Sequence, residues 1–421
     1  MEPAQSGSEE SPGPETSCAS FNQDTTSLAL GSHCGFRLFS LNNIDSLDCV
    51  YCSTDCPDVG LVERLYSSSL VVVVRAQTPQ DLHIYHFKKG TEICNYTYPH
   101  PVCSVRLNRE RLVTCLEHSV YIHNIKDMKL LQTLEVPSNP CGVCALATSG
   151  SSSYLAYPAC TDTGDVQVYD ASALSTDTLI SAHHSPLAAL SFNTSGSRLA
   201  SASQKGTVIR VFSVPQGQRL FEFRRGMKRC VDISCLSFSP DGHFLCSSSN
   251  TETVHVFRLE PPDPSLEEER SSWGSYVGRM FSVASSYLPA PVSHMMSQDR
   301  AFATAQLPRP NHRSMCALTV IQKLPRLLVA TSDTLYVFSF DPAEGGRCPL
   351  SHTHLLFEER QVQTAGCFRE ASDWSAPVTP CPTYAATAAL PPAPGPALGP
   401  SPGLAPGLGA ATLTAPRAHG T

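Results

Sequence analysis

Charge is scarce in this sequence, and positive charge is the scarcer kind. Asp, Glu, Lys and Arg make up 16% of the 421 residues, against about 25% for an average soluble domain. Thirty Lys and Arg face 37 Asp and Glu, for a formal net charge of −7. This excludes the wide basic face that tracks nucleic-acid phosphates, so any basic site must be local. No apolar run approaches the roughly 18 residues of a spanning helix. The strongest, "LVVVV" at Leu70–Val74, suits a buried strand. The opening "MEPAQSGSEESPGPETS" has neither the basic start nor the apolar core of a secretory signal. Nucleotide-binding loops, H-E-x-x-H pairs and nucleophile elbows are all missing, and the carboxylates are scattered. These gaps lead us to expect a cytoplasmic, non-enzymatic protein with no cofactor, no small-molecule substrate and no nucleic-acid partner.

Cysteine is plentiful, at 18 residues. Without a secretory signal, free thiols in a reducing compartment are expected. "CVYC" (Cys49 to Cys52) and "CGVC" (Cys141 to Cys144) are each C-x-x-C. They lie far apart in the chain, and we read these cysteines as small hydrophobes rather than zinc ligands. From about Ser375 the sequence turns Ala/Pro/Gly-rich ("LPPAPGPALGPSPGLAPGLG"), and 358–421 is expected to be a disordered tail. Residues 1–16 are expected to be disordered too.

The centre of the chain repeats itself. "FNQDTTSLALGSHCGFRLF" (Phe21 to Phe39), "FNTSGSRLASASQKGTVIRVF" (Phe192 to Phe212) and "FSPDGHFLCSSSNTETVHVF" (Phe238 to Phe257) share one pattern. Each reads aromatic, polar turn, apolar strand, small residues, turn, then a β-branched strand ending in Phe. The offset from Phe192 to Phe238 is near the roughly 40–45-residue period of WD-type blades. "SPDG" and "NTSG" supply tight-turn chemistry, and "TVIRVFSV" and "TVHVFRL" alternate as strands do. Weaker copies complete seven units, with blade starts near 17, 61, 102, 142, 187, 233 and 314. A four-stranded blade cannot bury both faces alone, whereas a closed ring of blades can. The expected fold is all-β, a seven-bladed WD40-like β-propeller over 17–357. "VATSDTLYVF" is about one residue short for a blade turn, so the closing blade is expected to be irregular.

One connection in the sixth unit is far longer than a turn. It spans 260–299, starts acidic ("LEEER") and continues "WGSYVGRMFSVASSYLPAPVSHMM". Long insertions in compact domains are usually functional or disordered, and disordered linkers are poor in aromatics. Trp273, Tyr276, Met280, Phe281, Tyr287 and Leu288 could bury an apolar face at a membrane interface.

The remaining anomaly is "FEFRRGMKR", with Arg224, Arg225, Lys228 and Arg229 inside six residues. Taken with the repeat, "NTETVHVF", "ERLYSSSLVVVV", "HFKKGTEICNY", "YIHNIKDMK", "SQKGTVIRVFSVP" and "MMSQDRAFATAQL", it resembles the PROPPIN family, WIPI branch. The likeness runs from about residue 18 to 357. It implies a propeller that binds phosphatidylinositol 3-phosphate and the 3,5-bisphosphate and works as a peripheral scaffold in autophagosome formation. It further implies recruitment from the cytoplasm to phagophore, autophagosome and endosomal membranes. A monomer is expected.

Successive side chains on a strand point to opposite faces, so Arg224 and Arg225 should diverge and serve two pockets. The guanidinium fork suits phosphate, and Gly226 would let the chain turn away tightly. By the resemblance, Arg224 joins His183, Ser201, Ser203, Gly206, Thr207 and Arg210 in a first pocket. Arg225 joins Ser249, Asn250, Thr251, Thr253 and His255 in a second. Lys228 and Arg229 would add general attraction to anionic lipid. The two histidines would gain charge at mildly acidic pH, so lipid affinity is expected to rise as pH falls. Some family members use the region holding Arg109, Arg111, Lys126 and Lys129 to engage an acidic helix of the lipid-conjugation scaffold. The alternative reading is a WD-repeat protein–protein scaffold whose basic motif binds an acidic peptide.

Overall fold

A computed structural model describes residues 16–148, 153–226, 230–259, 301–309 and 313–356. All belong to one unit, Met1–Tyr384; the second, Ala385–Thr421, lies outside the described residues. So do residues 1–15 of the expected N-terminal segment 1–16, whose last residue, Thr16, instead opens a strand, the insertion's membrane residues Trp273, Tyr276, Met280, Phe281, Tyr287 and Leu288, and the tail.

Among the described residues, seven sheets follow one another along the chain, each with four antiparallel strands in chain order. Their inner strands are Thr16–Phe21, Val59–Arg64, Val102–Leu107, Ala145–Leu146, Leu187–Phe192, Ile233–Phe238 and Met315–Ile321. These starts fall within three residues of the spacing read from the repeat. The inner strands neighbour one another in order, and the last meets the first, closing a seven-bladed propeller. The chain alternates in burial as a blade requires; Thr253–Arg258, for example, buries Val254 and Val256 while His255 is half-buried.

Among the described residues, the buried apolar side chains form seven clusters, and each cluster joins two neighbouring blades. The core therefore lies between blades. The inner strands of all seven surround an axial cavity of about 680 Å³, whose wall includes Glu63, Arg106, Cys144 and Arg313. Among the described residues no helix is long and apolar enough to cross a membrane.

The seventh blade is irregular between its third and fourth strands, where the chain lends a strand to blade six, and not at the turn that suggested it. Its second and third strands keep unbroken register from Arg326–Ser339 to Ala330–Leu335. Its short turn is closed by Thr331, whose Oγ1 accepts the Thr334 N–H at 3.2 Å, so the missing residue costs the blade no regularity there. The sixth sheet gains a fifth strand, Gly346–Cys348, which pairs parallel to its outer strand Ala303–Gln306. The described cysteines are free thiols. Of the C-x-x-C residues only Cys144 is buried; Cys49, Cys52 and Cys141 are exposed, so the small-hydrophobe reading holds for Cys144 alone.

Candidate functional site

Blade five turns two different faces to its neighbours. In its third strand, Val208–Ser213, Arg210 lies directly opposite Glu222 of the outer strand Arg219–Arg224, and Val208 lies opposite Arg224. Opposed residues share a face, so Arg210, Glu222 and Arg224 stand on one side. That side meets blade four. Arg210 donates to the Ala182 carbonyl, and His183 Nε2 lies 2.9 Å from Ser201 Oγ. Ser201 is opposite Arg210 on the second strand, fully buried, with Ser203 buried beside it. Glu222 Oε2 accepts from Arg210 and from Arg219, each at 2.9 Å. These guanidiniums, with Arg224, keep the Glu222 pKa below its ordinary value against the opposing pull of burial.

Arg225, one residue past the strand, leans the other way, onto blade six. Its N–H donates to the Thr207 carbonyl at 3.0 Å. Its guanidinium donates to Ser249 Oγ at 2.5 Å, to Thr251 Oγ1, and to the Thr253 carbonyl at 3.4 Å. Its Nε is buried with no hydrogen-bond partner among the described residues, and burial lowers the guanidinium pKa from its ordinary value. The divergence expected from strand alternation is thus present in the geometry.

Gly206 carries the local turn. At φ +62° it lies against the Val231 carbonyl, which an added Cβ would approach to 1.8 Å. It thereby brings the turn of blade five against the connection to blade six. Lys205, exposed beside it, is a further cation in the "SQKG" turn.

Three expectations need correction. Gly226 has open space where a Cβ would stand and no left-handed φ, so the turn itself does not demand glycine. Asn250 turns away from Arg225: its Nδ2 donates to Asp232 Oδ2 at 2.9 Å and its Oδ1 accepts the Asp232 N–H at 3.2 Å. The histidines do not titrate in the mildly acidic range. Burial, then Arg210, lowers His183 to about 4; burial, then Arg225, does the same to His255. Both are neutral between pH 7.5 and 6 in the unliganded protein, so a rise in affinity over that range requires a bound phosphate to raise their pKa.

The other candidate residues occupy the opposite end of the propeller. Arg109 and Arg111 lie at the turn joining the first two strands of blade three. The Arg109 guanidinium sits 4.1 Å from the Tyr66 ring centroid, while Arg111 donates to the Ala171 carbonyl of blade four at 2.8 Å. They therefore face different neighbours. Lys126 and Lys129 flank the turn between that blade's third and outer strands, where the N–H groups of both are held by Asn124 and Asp127 side chains. The insertion departs after Leu259 and returns before Ala301, from the corresponding end of blade six. The turn Asn250–Glu252 is at the other end of the same strands. Lys228 and Arg229 lie outside the described residues.

Glu222 was missed by reading the sequence for phosphate ligands, because a carboxylate is not one. Its place two residues before Arg224 on a strand was the available signal. Arg219, which shares Glu222, was missed with it.

A family model described as PROPPIN matches residues 15–357. The chain belongs to the PROPPIN family. Among curated relatives of this PROPPIN, "WD repeat domain phosphoinositide-interacting protein 1" of Homo sapiens is 56% identical over 90% of this chain and 84% of its own length. "Autophagy-related protein 18" of Caenorhabditis elegans is 40% identical over 79% of this chain and 84% of its own. Among solved structures, Kluyveromyces marxianus Hsv2 superposes with a TM-score of 0.63 at 20% identity, covering 82% of this chain and 99% of that one. At that identity the match speaks for the shared propeller fold.

Proposed function

We propose that this PROPPIN is a non-enzymatic, phosphoinositide-binding peripheral membrane scaffold acting in autophagosome formation. Its lipids are phosphatidylinositol 3-phosphate and the 3,5-bisphosphate. It moves from the cytoplasm to phagophore, autophagosome and endosomal membranes, as a monomer. Support comes from the names carried by its relatives, which are phosphoinositide-interacting and autophagy-related.

The observation that carries the reading is the opposed placement of Arg224 and Arg225. Arg224 shares a face with Arg210 beside His183, Ser201, Ser203 and the Gly206–Thr207 turn. Arg225 sits among Ser249, Thr251 and Thr253, with His255 below and Gly226 opening the approach. A phosphate entering either site would meet a guanidinium, which gives charge-assisted hydrogen bonds, and hydroxyl donors. In this reading Trp273 to Leu288 of the insertion adds apolar contact with the bilayer, and Arg109, Arg111 and Lys126 serve a protein partner, the lipid-conjugation scaffold of autophagy.

The test is flotation with phosphatidylcholine vesicles carrying phosphatidylinositol 3-phosphate. Arg224→Ala and Arg225→Ala should each weaken binding, by up to roughly tenfold for the loss of one charged hydrogen-bond donor. The double variant should not float. Undiminished flotation of the double variant would exclude this site.

A further inference from the structure

The two pockets are not equivalent. In the first, the anion position is already contested. Glu222 Oε2 sits 2.9 Å from Arg210 Nε and 2.9 Å from an Arg219 Nη1. Arg224 follows Glu222 by two residues and projects from the same side of the strand. A carboxylate is thus held among the guanidiniums that a phosphate would need, and it presents the same geometry, oxygen to N–H fork. In the second pocket, Arg225 meets only hydroxyls and a carbonyl. Two carboxylates border it, and both are turned elsewhere: Asp232 takes the Asn250 amide at 2.9 Å and Glu252 takes the Gln306 amide at 2.9 Å. Among the described residues no carboxylate pairs with Arg225, and its Nε keeps an unused donor.

We propose that Glu222 is an internal counter-anion of the first pocket, which an incoming phosphate must displace from Arg210, so that the second pocket fills first and the first answers only to higher lipid density. The inference rests on the phosphoinositide reading above and deepens it, since it assigns an order of occupancy and a residue that sets it. The physical ground is simple. A bound phosphate and Glu222 are like charges within one side chain's reach, and their repulsion is felt most where the strand face is half-buried.

The experiment uses the full chain and soluble inositol 1,3-bisphosphate, followed by calorimetry, with vesicles carrying phosphatidylinositol 3-phosphate as a second probe. An Arg225→Ala background leaves only the first pocket. In that background Glu222→Gln, which keeps the side chain's shape and one acceptor oxygen, should tighten headgroup binding by roughly tenfold. Glu222→Ala should tighten it as well, and melting curves verify that both variants fold. In the parent chain Arg225→Ala should cost more affinity than Arg224→Ala. Weakened or unchanged binding in Glu222→Gln overturns the proposal, because it would make Glu222 a support that positions Arg210 for the phosphate. Equal losses for the two arginine variants also overturn it. Absence of binding by the parent chain to either probe would instead fell the phosphoinositide reading, and the order of occupancy with it.

Discussion

His183 lies near Arg210 and His255 near Arg225, and burial, then that guanidinium, holds each at about 4. An unfolded histidine titrates near 6.5. Between those values the unfolded chain binds protons that the folded chain refuses, so stability falls as pH drops from about 6.5 towards 4 and is fully present above 6.5. The slope is about 1.4 kcal/mol per pH unit for each histidine inside that window. Glu63, raised to about 7 by its burial in the axial cavity, acts in the opposite direction between about 4.5 and 7 and partly masks the effect. Urea denaturation at pH 7 and pH 5 should therefore show a smaller stability difference in His183→Gln/His255→Gln than in the parent chain. An identical difference in both would mean that these imidazoles are hydrated. At this scale, the sequence displayed the arginine pair and its divergence, because strand alternation alone decides it. It could not display Glu222 as a counter-anion, since that requires the cross-strand pairing of Arg210 with Glu222. Nor could it show that Asn250 is engaged by Asp232, a contact that depends on the register of the first two strands of blade six.

The element that roots the insertion is the outer strand of blade six, Ala303–Gln306, only four residues long. So short a strand would be weakly held by one neighbour. It has two, the blade's own third strand and the parallel Gly346–Cys348 contributed from beyond blade seven's third strand. Phe302, just before it, accepts the Gly346 N–H at 2.8 Å. The Arg258 guanidinium lies 4.0 Å from the Phe302 ring centroid and donates to the Ala343 carbonyl at 3.1 Å. Gly345, at φ +67°, is pressed so close that an added Cβ would meet the Phe302 carbonyl at 2.4 Å. Among the described residues, these contacts hold the returning root in place. Replacing Trp273 to Leu288 by a Gly/Ser linker of equal length should thus change stability by no more than a surface substitution does, about 0.5 kcal/mol, and leave the melting midpoint nearly unmoved. Vesicle flotation should be lost and soluble headgroup binding kept. Loss of both, or a lowered midpoint, would assign those residues to the fold instead. The insertion was legible by its length and aromatic content. The strap was not, because three residues, "GRC", carry no strand periodicity.

Ring closure belongs to the whole molecule. The seven-unit repeat announced a propeller, but not how its ends meet. Blade one holds only the chain's first four strands and blade seven none of them, so no strand is exchanged across the seam between blades seven and one. The seam is held by side chains: Leu28, Leu30 and Phe39 pack with Leu328, Leu335, Val337 and Leu356. Arg37 donates to the Leu356 carbonyl at 3.3 Å, and His354 Nε2 lies 2.8 Å from the Ile44 carbonyl. These contacts are of the same kind as those at an internal boundary such as blades two and three, where Leu82, Leu107 and Leu112 pack together. An open stack of repeats can unravel from its ends. A ring sealed by apolar packing of the same kind has no end, since opening the seam exposes one apolar face on each of two blades. Leu28→Ala at the seam and Leu112→Ala at the internal boundary both remove a side chain with 0% exposure. Each should cost about 2–5 kcal/mol. Both should lower one shared unfolding transition by similar amounts in calorimetry. A separate early transition in Leu28→Ala alone would show that the ring peels from the seam, and that its closure is weaker than the packing there implies.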